Sequence, residues 1–108
     1  MNSPQLAPAL LDDTAIVAGF AALAHPARLE ILRELGARDA CCCKDVVERL
    51  DLAQSTVSQH LRVLVDAGLV IYEPDNRRSR YSLDHARLSA LKDAMGRVLN
   101  VCCSARGR

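Results

Sequence analysis

The chain has 108 residues and a formal net charge of +1, with half its residues apolar and a quarter charged. That is enough for one folded domain and too little for two, and no apolar run approaches the roughly 18 residues a membrane span needs. One Phe, two Tyr and no Trp leave a core of Leu, Val, Ile and Ala. Such a core favours helices packed on helices, and at this size it gains from sharing apolar surface with a second copy.

Residues 1–12, with Pro4 and Pro8, are expected to form a loose arm, ahead of a domain over 13–103 and a tail over 104–108. No basic segment leads into an apolar stretch, so a signal peptide is not expected and the default compartment is the cytoplasm. From Thr14, the apolar residues Ile16, Val17, Phe20, Ala21 and Leu23 recur at helical spacing. His25-Pro26 interrupts them, and proline suits the first turn of a new helix. The second helix runs through Leu29, Ile31, Leu32 and Leu35 and stops at Gly36.

A short connection over 36–42 follows, with Asp39 a candidate cap. A third helix is predicted over Lys44 to Leu50, with Val46, Val47 and Leu50 inward. Asp51-Leu52-Ala53 then turns into a fourth helix from Gln54 to Ala67. Val57, Leu61, Leu64 and Val65 form its buried stripe, and Gly68 ends it. Two short helices joined by a tight turn fit a helix-turn-helix. The period then changes. Leu69 to Tyr72 reads as a strand, Pro74-Asp75-Asn76 as turn chemistry, and Arg80 to Leu83 as the return strand. A last helix from Asp84 to Val101 places Leu88, Leu91, Met95, Val98 and Leu99 on one face, a spacing that suits helix pairing. The expected fold class is mainly α with a small β-hairpin: a winged helix-turn-helix in the order α-α-α-α-β-β-α, dimeric.

Specific local sequence joins this order of elements. The run 24–32, AHPARLEIL, resembles the second-helix signature of the ArsR/SmtB family of metal-responsive repressors. The run 54–64, QSTVSQHLRVL, is similar to that family's recognition helix, and 66–70, DAGLV, to its exit into the wing. The resemblance spans residues 14–103. It implies a homodimer that holds double-stranded operator DNA with no cofactor. It also implies release when a metal ion, a metalloid or an oxidant acts on sensor residues. The first and last helices would make the dimer interface, which points to Ile16, Phe20, Leu88, Leu91, Met95 and Val98. One departure is Ala53, where relatives often carry a serine able to cap the recognition helix; Ser55 is the candidate substitute.

Off the apolar stripe, the fourth helix carries Ser55, Thr56, Ser58, Gln59 and Arg62. Thr56 and Gln59 suit base edges in the major groove, whereas Ser55, Ser58 and Arg62 suit phosphates. His60 borders the stripe, and a base contact and an edge role are both open. Arg77, Arg78 and Arg80 crowd the hairpin tip, where they suit phosphates or the minor groove, with Glu73 and Asp75 weakening their field.

Cys41-Cys42-Cys43 and Cys102-Cys103 are the chain's most unusual feature. Three successive cysteines are hard to explain by packing, since neighbours on a helix point about 100° apart. At a helix start and beside Lys44, their thiols are expected to ionise easily, and thiolates bind soft metals and react with oxidants. Relatives that respond to arsenite or cadmium carry Cys-x-Cys near the third helix, a spacing that Cys41 and Cys43 match. Aligned on the recognition helix, the run is offset by about one residue, and Lys44 falls where a ligand is expected. Other arsenic-responsive relatives use a Cys-Cys pair after the last helix, which Cys102-Cys103 resembles, with a third cysteine that this sequence lacks. The zinc site of some relatives begins Asp-x-His, and Asp84-His85-Ala86 lacks its second histidine.

The leading expectation is release by trivalent arsenic or antimony held by thiolates. The alternatives are a redox or reactive-sulfur sensor and a cadmium or lead sensor. No Gly-rich loop, paired carboxylates or triad accompanies His25, His60 and His85, so an enzyme is not expected. A metal-trafficking or protein-interaction module is the remaining alternative. No membrane partner is expected.

Overall fold

The computed structural model describes residues 11–38, 40–74 and 79–107. Five helices and a small sheet follow in the order α1 (Asp13–Leu23), α2 (Pro26–Gly36), β1 (Cys41–Cys42), α3 (Cys43–Leu50), α4 (Gln54–Asp66), β2 (Val70–Pro74), β3 (Ser79–Leu83) and α5 (His85–Gly107). This is a winged helix-turn-helix, with α3 and α4 as the helix pair and β2–β3 as the wing.

Local chemistry sets most of the boundaries. Asp12 caps α1, its carboxylate accepting from the Ala15 N–H at 2.8 Å. The chain then breaks at His25, whose Nδ1 accepts from the Ala27 N–H at 3.0 Å, and Pro26 opens α2. Arg28 locks this corner, its Nε donating to the Ala22 carbonyl at 2.6 Å near the end of α1. Asp51 ends α3 in the left-handed region at φ 55°, a conformation that a short polar side chain tolerates better than a branched one. The tight turn into α4 needs that conformation.

The core gathers Ile31 and Leu35 from α2, Val46 from α3, Val57, Leu61 and Leu64 from α4, and Leu69, Val70 and Leu91 beyond. The α4 residues of this set are the predicted stripe, although Val65 is only partly buried. Each fully buried Leu or Val contributes roughly 1.5–3 kcal/mol. α4 is therefore held by its apolar side, which leaves its polar side outward.

The structure departs from expectation in three places. The connection before α3 contains a strand: Cys41 pairs with Tyr81 and Cys42 with Arg80, giving an antiparallel sheet of order β1-β3-β2. α3 starts one residue early, and the Asp45 carboxylate accepts from the Cys42 N–H at 3.3 Å at its N-terminus. The expected cap Asp39 lies outside the described residues. Finally, α5 continues to Gly107, so the expected tail is helical over 104–107. Between Val101 and Gly107 the sequence holds no proline or glycine to stop it.

Candidate nucleic-acid interface

Along α4, Ser55, Ser58, Gln59 and Arg62 are exposed and Thr56 is half-buried. They form a continuous polar edge because the helical period separates them from Val57, Leu61 and Leu64. The helix starts at Gln54 with Ala53 in the cap position and no side-chain cap bond, so Ser55 lies inside the first turn and does not cap it. The first-turn N–H groups are therefore available to an anion, at the positive end of the helix.

The wing stands beside this edge. Tyr72 and Tyr81 face one another across β2 and β3, their ring centres 5.3 Å apart. The Tyr72 hydroxyl shares a 3.0 Å hydrogen bond with the Ser79 hydroxyl. Burial raises the Tyr81 phenol above its ordinary range, with Cys43 and then Tyr72 adding to the shift. Tyr81 thus stays a hydrogen-bond donor. Arg80 is exposed on β3. Arg77 and Arg78, with Asp75 and Asn76 of the expected turn, lie outside the described residues.

Two open clefts separate helix and wing. One, of about 320 Å³, is lined by Ser58, Arg62, Val65, Asp66, Tyr72 and Tyr81. The other, of about 450 Å³, is lined by Cys42, Cys43, Lys44, Gln54, Ser58, Ser79 and Tyr81. Lys44, Gln54, Tyr72 and Tyr81 were not singled out from sequence as interface residues. The tyrosines become visible only once the hairpin register pairs positions 72 and 81.

His60 is placed differently from the other polar residues of α4. Its ring lies 4.5 Å from that of His25, and its Nδ1 lies 3.4 Å from the Arg28 guanidinium. Arginine is always cationic and can only donate, so this nitrogen accepts and the ring is neutral. Burial, then His25 and Arg28, hold its pKa below the ordinary histidine value. This geometry favours the edge role, holding α4 against α2, over a base contact.

The cysteines separate into two groups. Cys41 and Cys42 are buried, Cys43 is half-buried, and Cys102 and Cys103 are exposed on α5. All five are free thiols. The expectation of easily ionised thiols is corrected at Cys41 and Cys43. Burial raises the Cys41 pKa against an opposing pull from Arg38, and burial followed by the Cys42 charge raises that of Cys43. Desolvation is the largest cause at both. Packing also accounts for part of the run, since Cys41 belongs to the core cluster. Among the described residues no three His, Cys, Asp or Glu side chains are grouped to hold a metal ion. A three-thiolate pyramid is therefore not assembled within one protomer.

Of the residues expected at a dimer seam, Met95 and Val98 are exposed, Ile16, Phe20 and Leu88 are half-buried, and Leu91 is only 3% exposed. Leu91 packs toward Gly19 of α1 and has little surface left to give to a second copy. Val17, Leu99 and Val101 add to the exposed apolar set on α1 and α5.

A helix-turn-helix domain model matches residues 23–73. An arsenical resistance operon repressor of Bacillus subtilis (strain 168) is 36% identical over 87 residues, covering 81% of this chain and 78% of that one. A protein of the same description from Staphylococcus aureus is 39% identical over 66 residues, covering 61% of this chain and 62% of the relative. Among solved structures, an ArsR-like transcriptional regulator from Rhodococcus sp. RHA1 superposes with a TM-score of 0.75 at 26% identity, covering 87% of this chain and 88% of the other. These relatives are transcriptional regulators, not enzymes. No single helix among the described residues is long and apolar enough to cross a membrane. The chain belongs to the ArsR/SmtB family of metal-responsive winged helix-turn-helix transcriptional repressors.

Proposed function

We propose that two copies of this chain bind a two-fold related operator in the cytoplasm and repress transcription until an inducer acts on cysteine thiols. The observation that carries the DNA-binding part is the exposed polar edge of α4 lying beside the wing, with its apolar side fixed in the core. In this reading Thr56 and Gln59 meet base edges, Ser55, Ser58 and Arg62 meet phosphates, and the wing arginines reach the neighbouring backbone. The exposed apolar residues Met95 and Val98 support pairing through α5, which would set the two recognition helices about 34 Å apart.

Trivalent arsenic or antimony is the proposed inducer, supported by the resemblance to arsenical resistance repressors and by five free thiols. Because no three ligands are grouped among the described residues of one protomer, such a site needs thiols brought together from two copies or by rearrangement. The same observation favours oxidation or persulfidation as a second reading, since a disulfide needs only two sulfurs. Release requires about 5.5 kcal/mol of preference for the free state to move occupancy from 99:1 to 1:99.

The test titrates reduced, metal-chelated protein against the DNA upstream of its own gene, without oxygen, and then adds arsenite, cadmium or peroxide. Retardation of that fragment and release by arsenite are expected. Release by peroxide alone, with arsenite inert, would replace the metalloid by an oxidant. No retardation at low salt would refute the repressor reading.

A further inference from the structure

The two clefts between helix and wing adjoin one another, because Ser58 and Tyr81 line both, and are taken together as one groove. We propose that one strand of the DNA backbone lies in this groove, and that Cys43 sits beneath it, so that bound duplex and thiol reagents compete for the same space. The proposal rests on the reading that α4 and the wing bind duplex.

Three observations carry it. The wall formed by α3 and α4 brings two helix N-termini to one place: Cys43 and Lys44 open α3, and Gln54 opens α4. A capping box between Cys42 and Asp45 already closes the α3 end, whereas the α4 end has no side-chain cap bond and presents outward N–H groups and partial positive charge, the arrangement that holds phosphate oxygens. The neutral donors around it, the Ser58 and Tyr81 hydroxyls and the Gln54 amide, suit the same ligand. Exposed Lys44 at one end and Arg62 at the other supply cations along the groove's length, as a run of phosphates requires. The Asp66 carboxylate lines the Arg62 end, and the Asp45 carboxylate is turned onto the Cys42 N–H. Neither lines the cleft that holds the thiols. Ser58 also belongs to the exposed polar edge of α4, so duplex docked on that edge meets the groove without any rearrangement.

One consequence concerns sensing. An adduct on Cys43 would occupy space needed by the backbone, so induction there needs no relay through the fold. Cys102 and Cys103 do not line the groove and would have to act through another route.

The test uses the full reduced chain and N-ethylmaleimide as the thiol probe. The sulfur adds across the maleimide double bond, and the thiol proton passes to the neighbouring carbon. Modification is followed at each cysteine by mass spectrometry, with and without duplex, and complex formation is scored by mobility shift in the same samples. With duplex at ten times its dissociation constant, about one protein in eleven is free, so Cys43 should react about elevenfold more slowly. Cys102 and Cys103 should react at an unchanged rate. A shifted complex with undiminished Cys43 reaction overturns the groove path and leaves the DNA-binding reading intact. Absence of a shift refutes that reading itself. A second measurement does not depend on thiol reactivity. Lys44→Ala, an exposed change, should weaken binding to promoter and random duplex alike and reduce the salt slope by about 1. An unchanged slope overturns the proposal.

Discussion

Gly68 shows how one residue fixes the exit from the recognition helix. Its φ is +84°, and a Cβ built there would lie 2.9 Å from the Arg87 guanidinium carbon. The guanidinium is the end of a flexible side chain and can swing aside, so Gly68→Ala meets mainly backbone strain, and we expect a loss of about 1–2 kcal/mol, read as a lower midpoint in urea. His60 gives a pH dependence of defined sign. Its folded pKa is depressed, so the unfolded chain takes up the proton first as pH falls. Stability should be full above the unfolded value near 6.5 and should decline on acidification toward the lower folded pKa. His60→Gln should flatten that decline in urea titrations run from pH 7.5 to 5. The thiols should differ by position. Exposed Cys102 and Cys103 should react with a maleimide well before buried Cys41, whose ionisation is suppressed.

At the scale of elements, α5 has two uses. Its inner side carries Leu91 and Ala94 into the core, where Leu91 Cδ2 lies 2.9 Å from the position a Gly19 Cβ would take. α1 and α5 meet at this close approach, and Gly19→Val should cost about 1–3 kcal/mol by overpacking. Its outer side shows Met95, Val98 and Leu99, with Val98 half exposed, and Cys102 follows at the same helical spacing. Val98→Asp should shift sedimentation toward a monomer while leaving helix content unchanged; a dimer that persists would move the interface elsewhere.

The helices were legible because their signals are local: Pro26 at a start, Gly68 at an exit, and the 3.6-residue stripe of Val57, Leu61 and Leu64. β1 was not legible. It is two residues long, and its only reason to be a strand is pairing with Tyr81 and Arg80, about forty residues away along the chain. The burial that protonates Cys41 and Cys43 has the same non-local origin. A helix-end argument from sequence sees the dipole and Lys44 but not the sheet that covers the sulfur.

For the whole molecule, the fold separates two tasks. The apolar sides of α2, α3 and α4 make one core, while the polar edge of α4 and the wing remain for a partner. Of the candidate site, the α4 edge could be read from periodicity alone. The paired tyrosines, the groove and the diversion of His60 to α2 all depend on how separate elements meet. The central claim is that the edge over Ser55 to Arg62 reads duplex sequence. It is tested most directly by fluorescence anisotropy with the promoter fragment and a random duplex at equal salt, comparing the native chain with Gln59→Ala. The native chain should prefer the promoter by about 10³ or more, and Gln59→Ala should lose about 1–3 kcal/mol of that preference. Equal affinity of the native chain for both duplexes, or a preference unchanged in Gln59→Ala, would contradict the account.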